Sequence, residues 1–400
     1  MFATLLISLW RCALRLADWR GHWRYLTGRP VIDVVIITNV RDEQERRLFW
    51  GSRVPASGHS NGARIYLNGV AGRIRGLYVT AEELLTKEGR QLAKQQFIRA
   101  VQWADKRGAK VVLLAASTKR LFGRDGAELR RMFPHMLFTI GDNGTTLLLF
   151  QDIARALAKA KVAPNSRVLV VGPYGILGAA VTRYLMEQKY EVLGFGTNPA
   201  LLNEFATRFP IDLHDNIGAV GKVDVVVACT HSPDAKLTLE AIESLRKPQQ
   251  KLLVIDVAEP ANLDAPTLRQ CASRVLRQDA GNARSPQISF VLGRISSSML
   301  KLPSKGMFGC FAEAMTLYHA IYRDHQHMRL NQDWFHVNRG NMAVLEDDFA
   351  LVGIEAAPPH CFGKPVTDFR LALGANPTLA HANPVARLDP PTAPLQASSN

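Results

Sequence analysis

Two stretches carry residue types and spacings suited to chemistry. The first, RVLVVGPYGILGAAVTRY at 167 to 184, places Gly172, Gly175 and Gly178 at three-residue intervals behind the apolar run Val168 to Val171 and ahead of an apolar helical pattern. That order reads as strand, phosphate turn, helix. The first glycine permits the tight turn, the second lets backbone approach a pyrophosphate, the third lets helix pack on strand, and the helix start offers free amides. Tyr174, Ile176 and Leu177 fill the turn, from which Pro173 removes one amide donor. A ligand-free tight turn has the same glycines, so the alternating strands and helices that follow are what point to a dinucleotide.

The second is Cys310, just after Gly309 at the opening of the helical pattern MFGCFAEAMTLYHAIYRDH. A helix start favours thiolate over thiol, and a thiolate beside a nicotinamide suggests acyl chemistry; the alternative is an ordinary core cysteine. Glu313 lies one turn on, on the same face, where it orients a group or closes a helix start. His231, in a loop after a strand, is a further catalytic candidate, with a solvated loop histidine as the alternative. His319 is out of phase with Cys310 and reads as structural, and Cys229 as strand-end core.

The elements that must position these residues alternate from 168 onward. Strands are expected at 168 to 171, 191 to 195, 223 to 228 and 252 to 256, with helices from about 177, 200 and 237. This predicts an α/β fold with a doubly wound, parallel, Rossmann-like sheet. Ligands sit at the carboxyl ends of such strands, which adds Thr197, Asn198, Thr230 and Asp256 to the expected cofactor contacts. The second strand ends in GFGTN rather than in the carboxylate that would grip ribose hydroxyls, so NADPH is expected, with NADH left open.

Ahead of this unit, VIDVVII at 31 to 37, two strands within 63 to 80, a helix ending at Gly108 and a strand at 110 to 116 predict a mixed α/β substrate domain. FTIGDN at 138 to 143 reads as loop, leading into a helix over 145 to 160. The segment 280 to 306 is a long Gly/Ser/Pro-bearing stretch, and the Pro/Ala-rich end is expected to be disordered. The expected divisions are an amphipathic segment 1 to 30, the substrate domain 31 to 163, the nucleotide domain with its cysteine helix 164 to 335, a helical extension 336 to 374 and a tail 375 to 400.

Residues 1 to 23 pattern as an amphipathic helix whose apolar run is too short to cross a bilayer. Trp10, Trp19 and Trp23 among arginines suit peripheral membrane contact; docking on the protein's own core is the alternative. The formal charge of +14 points to an acidic partner, and the lack of nucleic-acid motifs ranks nucleic acid lowest. Five scattered cysteines suggest neither a metal site nor a disulfide framework and fit a reducing, cytoplasmic compartment.

GMFGCFAEAM at 306 to 315 is similar to the cysteine-bearing segment of long-chain acyl-acyl-carrier-protein reductases, enzymes that make fatty aldehydes. VVGPYGILGAAV at 170 to 181 resembles that family's nucleotide loop, and VIDVAEPANL at 254 to 263 a segment in which Asp256, Pro260 and Asn262 match. Weaker likenesses in FWGSRVP, GLYVTAEELL and HCFGKPV extend it over residues 45 to 366 in the same order. The resemblance implies that Cys310 accepts the acyl group and that the three glycines hold NADPH. The chain departs from the pattern at Thr197, where the family carries arginine, and in TIGDNGT at 139 to 145, which lacks a histidine.

The expected activity is therefore NADPH-dependent reduction of an acyl thioester to aldehyde through an acyl-cysteine. The acyl chain would lie between helices 81 to 107 and 145 to 160, and Lys119, Arg120, Arg124, Arg130 and Arg131 would receive an acidic carrier protein. A dehydrogenase of a small hydroxy or oxo substrate and a non-catalytic nucleotide-binding protein are the alternatives.

Overall fold

The computed structural model describes residues 9, 10, 12 to 51 and 54 to 373. The expected disordered tail and residues 1 to 8 and 11 of the amphipathic segment lie outside the described residues. Two large sheets form the frame. The first has six strands in the order β13, β2, β3, β1, β4, β5: β1 (Val34–Val40), β2 (His59–Leu67), β3 (Val70–Thr80), β4 (Val111–Leu114), β5 (Leu137–Thr139) and the late β13 (Ser289–Phe290). β3, β1, β4 and β5 are mutually parallel, while β2 forms an antiparallel hairpin with β3.

The second sheet holds the expected alternation. β6 (Arg167–Val171), β7 (Glu191–Phe195), β8 (Asp212–His214), β9 (Val225–Ala228), β10 (Leu252–Asp256) and β11 (Val275–Asp279) run parallel in the order β11, β10, β9, β6, β7, β8. β9 and β10 are buried along their whole length, which is why they read as unbroken apolar runs. The antiparallel β16 (His360–Cys361) and β17 (Lys364–Pro365) extend the β11 edge. β8 was absent from the sequence reading because a three-residue DLH strand has no periodicity to detect.

Alternate residues of β1 divide the first unit's core. Val35 and Ile37 pack with Ala93, Phe97 and Val101 of helix α2 (Lys87–Asp105) on one face. Val34 and Ile36 pack with Leu147 and Leu148 of helix α3 (Asp142–Lys159) on the other. The two helices expected to flank an acyl groove therefore lie on opposite faces of the sheet, and that groove does not form between them. The expected loop at 138 to 143 is also corrected: Phe138 and Thr139 belong to β5, and α3 begins at Asp142.

The Gly/Ser/Pro segment is structured as well. β12 (Asn282–Arg284) pairs with β14 (Gly306–Phe308) and β15 (Glu355–Ala356) in a small third sheet, while β13 returns to the edge of the first sheet. β14 leads into helix α5 (Gly309–Tyr322), nearly apolar all round and correspondingly buried. Phe311, Met315 and Ile321 join Val34, Ile36 and Val111 in one core, so this helix, expected with the nucleotide unit, packs on the first sheet.

Helix α1 (Trp19–Leu26) and the helical residues 12 to 16 before it dock on this same unit. Leu14 packs with Tyr66, Ala71 and Val291; Asp18 is paired with Arg64 at 2.7 Å and Arg24 with Asp33 at 2.6 Å. Among the described residues no helix is long and apolar enough to cross a membrane.

Candidate active site

Helix α4 (Ile176–Glu187) starts directly behind the glycine turn with no side-chain cap, leaving its first-turn amides available to an anion. Gly172 has φ +80°, and a Cβ there would lie 2.7 Å from the Thr230 Cβ. A Cβ on Gly178 would lie 2.0 Å from the Gly172 carbonyl oxygen. Both positions thus require glycine, one for conformation and contact, the other for helix-on-strand packing. The residues fit a dinucleotide pyrophosphate. On the far side of the turn the Tyr174 ring lies against Gly196, where a Cβ would come within 2.4 Å of it, and no carboxylate ends β7.

The other cofactor candidates have structural duties. Asn198 caps the following helix through Leu201 N–H, and Thr230 Oγ1 accepts from Ser232 N–H. Thr197 is half-buried beside the cap. Asp256 is buried, ion-paired with Arg277 at 2.9 Å, and accepts from the amides of Ala258 and Leu263. Its carboxylate shapes the loop after β10, and the residue also lines the cleft at that strand's end. Asn262, 1% exposed, donates to the Thr230 and Ala235 carbonyls and accepts from Leu237 N–H, tying that loop to the one after β9.

Cys310 stands where the two sheets meet. The Gly309 N–H donates to the Gly281 carbonyl at 3.0 Å, and a Cβ on Gly281 would lie 2.9 Å from the Val257 side chain at the end of β10. One residue on, Cys310 is half-buried and backed by Gly141, whose Cβ would meet the Cys310 Cβ at 2.3 Å. A cleft opens at the ends of β10 and β11, lined by Asp256, Val257, Glu259, Lys301, Leu302 and Phe308 among others; Cys310, two residues past Phe308, does not line it.

Burial pushes the Cys310 pKa up to about 11, with the Lys119 ammonium pulling it down and Asp142 and Glu313 pushing it up. Against the thiolate expected at the helix start stands this desolvation, the largest influence on the group. Lys119 is paired with Asp142, and burial, followed by the Lys119 and Lys236 charges, lowers the His231 pKa.

Sequence reasoning grouped Lys119 with surface arginines and passed over Asp142. The available signal was position: Lys119 follows a fully buried parallel strand, where such sheets place functional groups. Arg120, Arg124, Arg130 and Arg131 are exposed.

Glu313 is fully buried and accepts from the Thr139 hydroxyl and from Gly144 N–H at 2.6 Å. It fastens the start of α3 rather than its own helix, and burial raises its pKa to about 7. His231 is exposed on its loop. His319 pairs with Asp324 at 2.9 Å, and burial pushes the Cys229 thiol up. The five cysteines are free, and no group of three or more metal-ligating side chains occurs among the described residues.

Residues 154–275 match the family described as shikimate / quinate 5-dehydrogenase. The match spans under a third of the chain and coincides with most of the second sheet. No curated protein matches. L-tryptophan dehydrogenase from Nostoc punctiforme is 13% identical over 80% of this chain and 89% of that one, with a TM-score of 0.37. The nucleotide-binding domain of glutamyl-tRNA reductase from Thermoplasma volcanium is 18% identical over 33% of this chain and 84% of its own, TM-score 0.24. CAD from Helicobacter pylori, solved with NADP(H), is 14% identical over 34% of this chain, TM-score 0.27; the match spans 38% of that protein's length. The chain carries the nucleotide-binding fold of NAD(P)-dependent oxidoreductases.

Proposed function

We propose that the chain is an NADPH-dependent reductase that converts acyl thioesters, carried on an acidic acyl carrier protein or coenzyme A, into aldehydes. The observation that supports this reading is the half-buried Cys310, one residue past the Gly309 to Gly281 hydrogen bond at the carboxyl edge of the second sheet, with the Lys119 ammonium beside it. Gly172, Gly175 and Gly178 with the start of α4 would hold the pyrophosphate, and the bound coenzyme supplies hydride.

Cys310 Sγ attacks the thioester carbonyl as its proton departs, the carrier sulfur leaves and ends protonated, and an acyl-cysteine remains. Hydride addition to that carbonyl gives a tetrahedral oxyanion, which Lys119 stabilises. Its collapse breaks the C–S bond, releases aldehyde and returns the Cys310 thiolate, which takes up one proton from solvent. Lys119 also lowers the cost of forming thiolate in a buried site, the role its effect on the thiol pKa supports. Glu313 and Gly141 are positioning residues that set the wall behind the sulfur.

One observation favours a second reading. The Lys119 to Asp142 pair, beside a thiol whose pKa is about 11, would serve as proton donor and acceptor for a dehydrogenase of a hydroxy or oxo substrate with no covalent step. Incubation with NADPH and a long-chain acyl thioester separates them. An acyl adduct on Cys310, aldehyde formation and their loss in Cys310→Ala support the first. With an oxo substrate in place of the thioester, NADPH oxidation surviving Cys310→Ala supports the second, and nucleotide binding without turnover of either substrate removes both.

A further inference from the structure

Helix α1 is oriented against the usual rule: Arg24 and the capping Asp18 face the protein, while the helix's largest apolar side chains face solvent. Asp18 and Arg24 are buried in ion pairs with Arg64 and Asp33. Trp19, Trp23 and Leu26, which share one side of α1 at i, i+4 and i+7, are 67%, 60% and 77% exposed. Before the break at Asp18, Leu9 and Leu16 continue the exposed series. The exposed charge of this segment has one sign. Arg15, Arg20 and Arg29 are exposed, and the carboxylates between residues 9 and 33, Asp18 and Asp33, are both buried and paired.

We propose that this face is a docking surface for an anionic lipid membrane. Tryptophan has an apolar body and a polar N–H and partitions to the headgroup boundary, while arginine adds attraction to anionic headgroups. Burying the segment's acids removes the repulsion an anionic surface would otherwise meet. The ion pairs to Arg64 and Asp33 fix the stripe outward on the first unit, so docking requires no unfolding of the helix from its seat. A second copy of the chain fits less well: the non-helical Asp18, ψ 58°, breaks the stripe into two short pieces, which a continuous helix seam would not tolerate.

The test is co-sedimentation of the full chain with phosphatidylcholine vesicles and with phosphatidylcholine/phosphatidylserine vesicles, alongside Trp19→Ser/Trp23→Ser and Arg15→Glu. Binding to the anionic vesicles that falls at least about tenfold in the double tryptophan variant and about fivefold or more in Arg15→Glu, and weakens with salt, is expected. Unchanged thermal unfolding of these surface variants shows that the fold is intact. No binding to anionic vesicles at low salt, or binding that the tryptophan variant leaves unaltered, overturns the proposal. So does a solution dimer that the tryptophan variant dissociates.

Discussion

Gly141 and Cys310 touch backbone to side chain: a methyl on Gly141 would sit 2.3 Å from the Cys310 Cβ and 2.6 Å from its Cα. Gly141 also has φ +73°, a conformation that costs any other residue about 1 kcal/mol or more. Gly141→Ala is therefore expected to destabilise the protein by about 2 kcal/mol or more and to displace the sulfur. The check is a thermal melt together with the rate of thiol alkylation, which should change where that of Cys12, exposed on the surface, does not.

Alkylation of Cys310 should rise steeply with pH towards 11, because only the thiolate reacts. Lys119→Met removes the cation that pulls this pKa down, so the profile should move further up and the rate near neutrality should drop about tenfold for each unit. Asp142→Asn removes a charge that pushes it up and should move the profile the other way. Coincident profiles in the three proteins would show that Lys119 does not act on the thiol.

The second sheet was legible because its strands are buried on both faces and read as continuous apolar runs, β7 and β10 with their observed bounds. What sequence reasoning missed are contacts between distant segments. The return of β13 to the first sheet and the seating of α5 there are set by surfaces some two hundred residues away in the chain, which local periodicity does not encode. The site divides in the same way. The glycines and Cys310 carry local patterns, whereas the Lys119 to Asp142 pair and the fastening of α3 by Glu313 exist only once the sheets meet.

Glu313 gives a stability prediction with a definite sign. Its folded-state pKa, about 7, lies above the ordinary glutamate value of 4.5, so the folded state holds the proton more tightly than the unfolded one. Stability from this group is present below pH 4.5 and is lost as pH rises through 7, by on the order of 3 kcal/mol. Asp152, also raised to about 7, contributes in the same direction, so the measurement is a difference. Denaturant unfolding of wild type and Glu313→Gln across this range should show a smaller loss in the variant. Equal slopes would mean that Glu313 is not the titrating group.

Gly178→Ala tests the nucleotide site without touching the thiol. The added methyl would press within 2.0 Å of the Gly172 carbonyl, a backbone atom that cannot swing aside, so the turn itself must shift. NADPH affinity, followed by its fluorescence, should weaken by at least about tenfold, equivalent to about 1.4 kcal/mol. Alkylation of Cys310 should keep its pH profile, since the sulfur's neighbours Lys119, Asp142 and Glu313 lie on other elements. A variant that binds NADPH as wild type does would move the nucleotide away from the glycine turn.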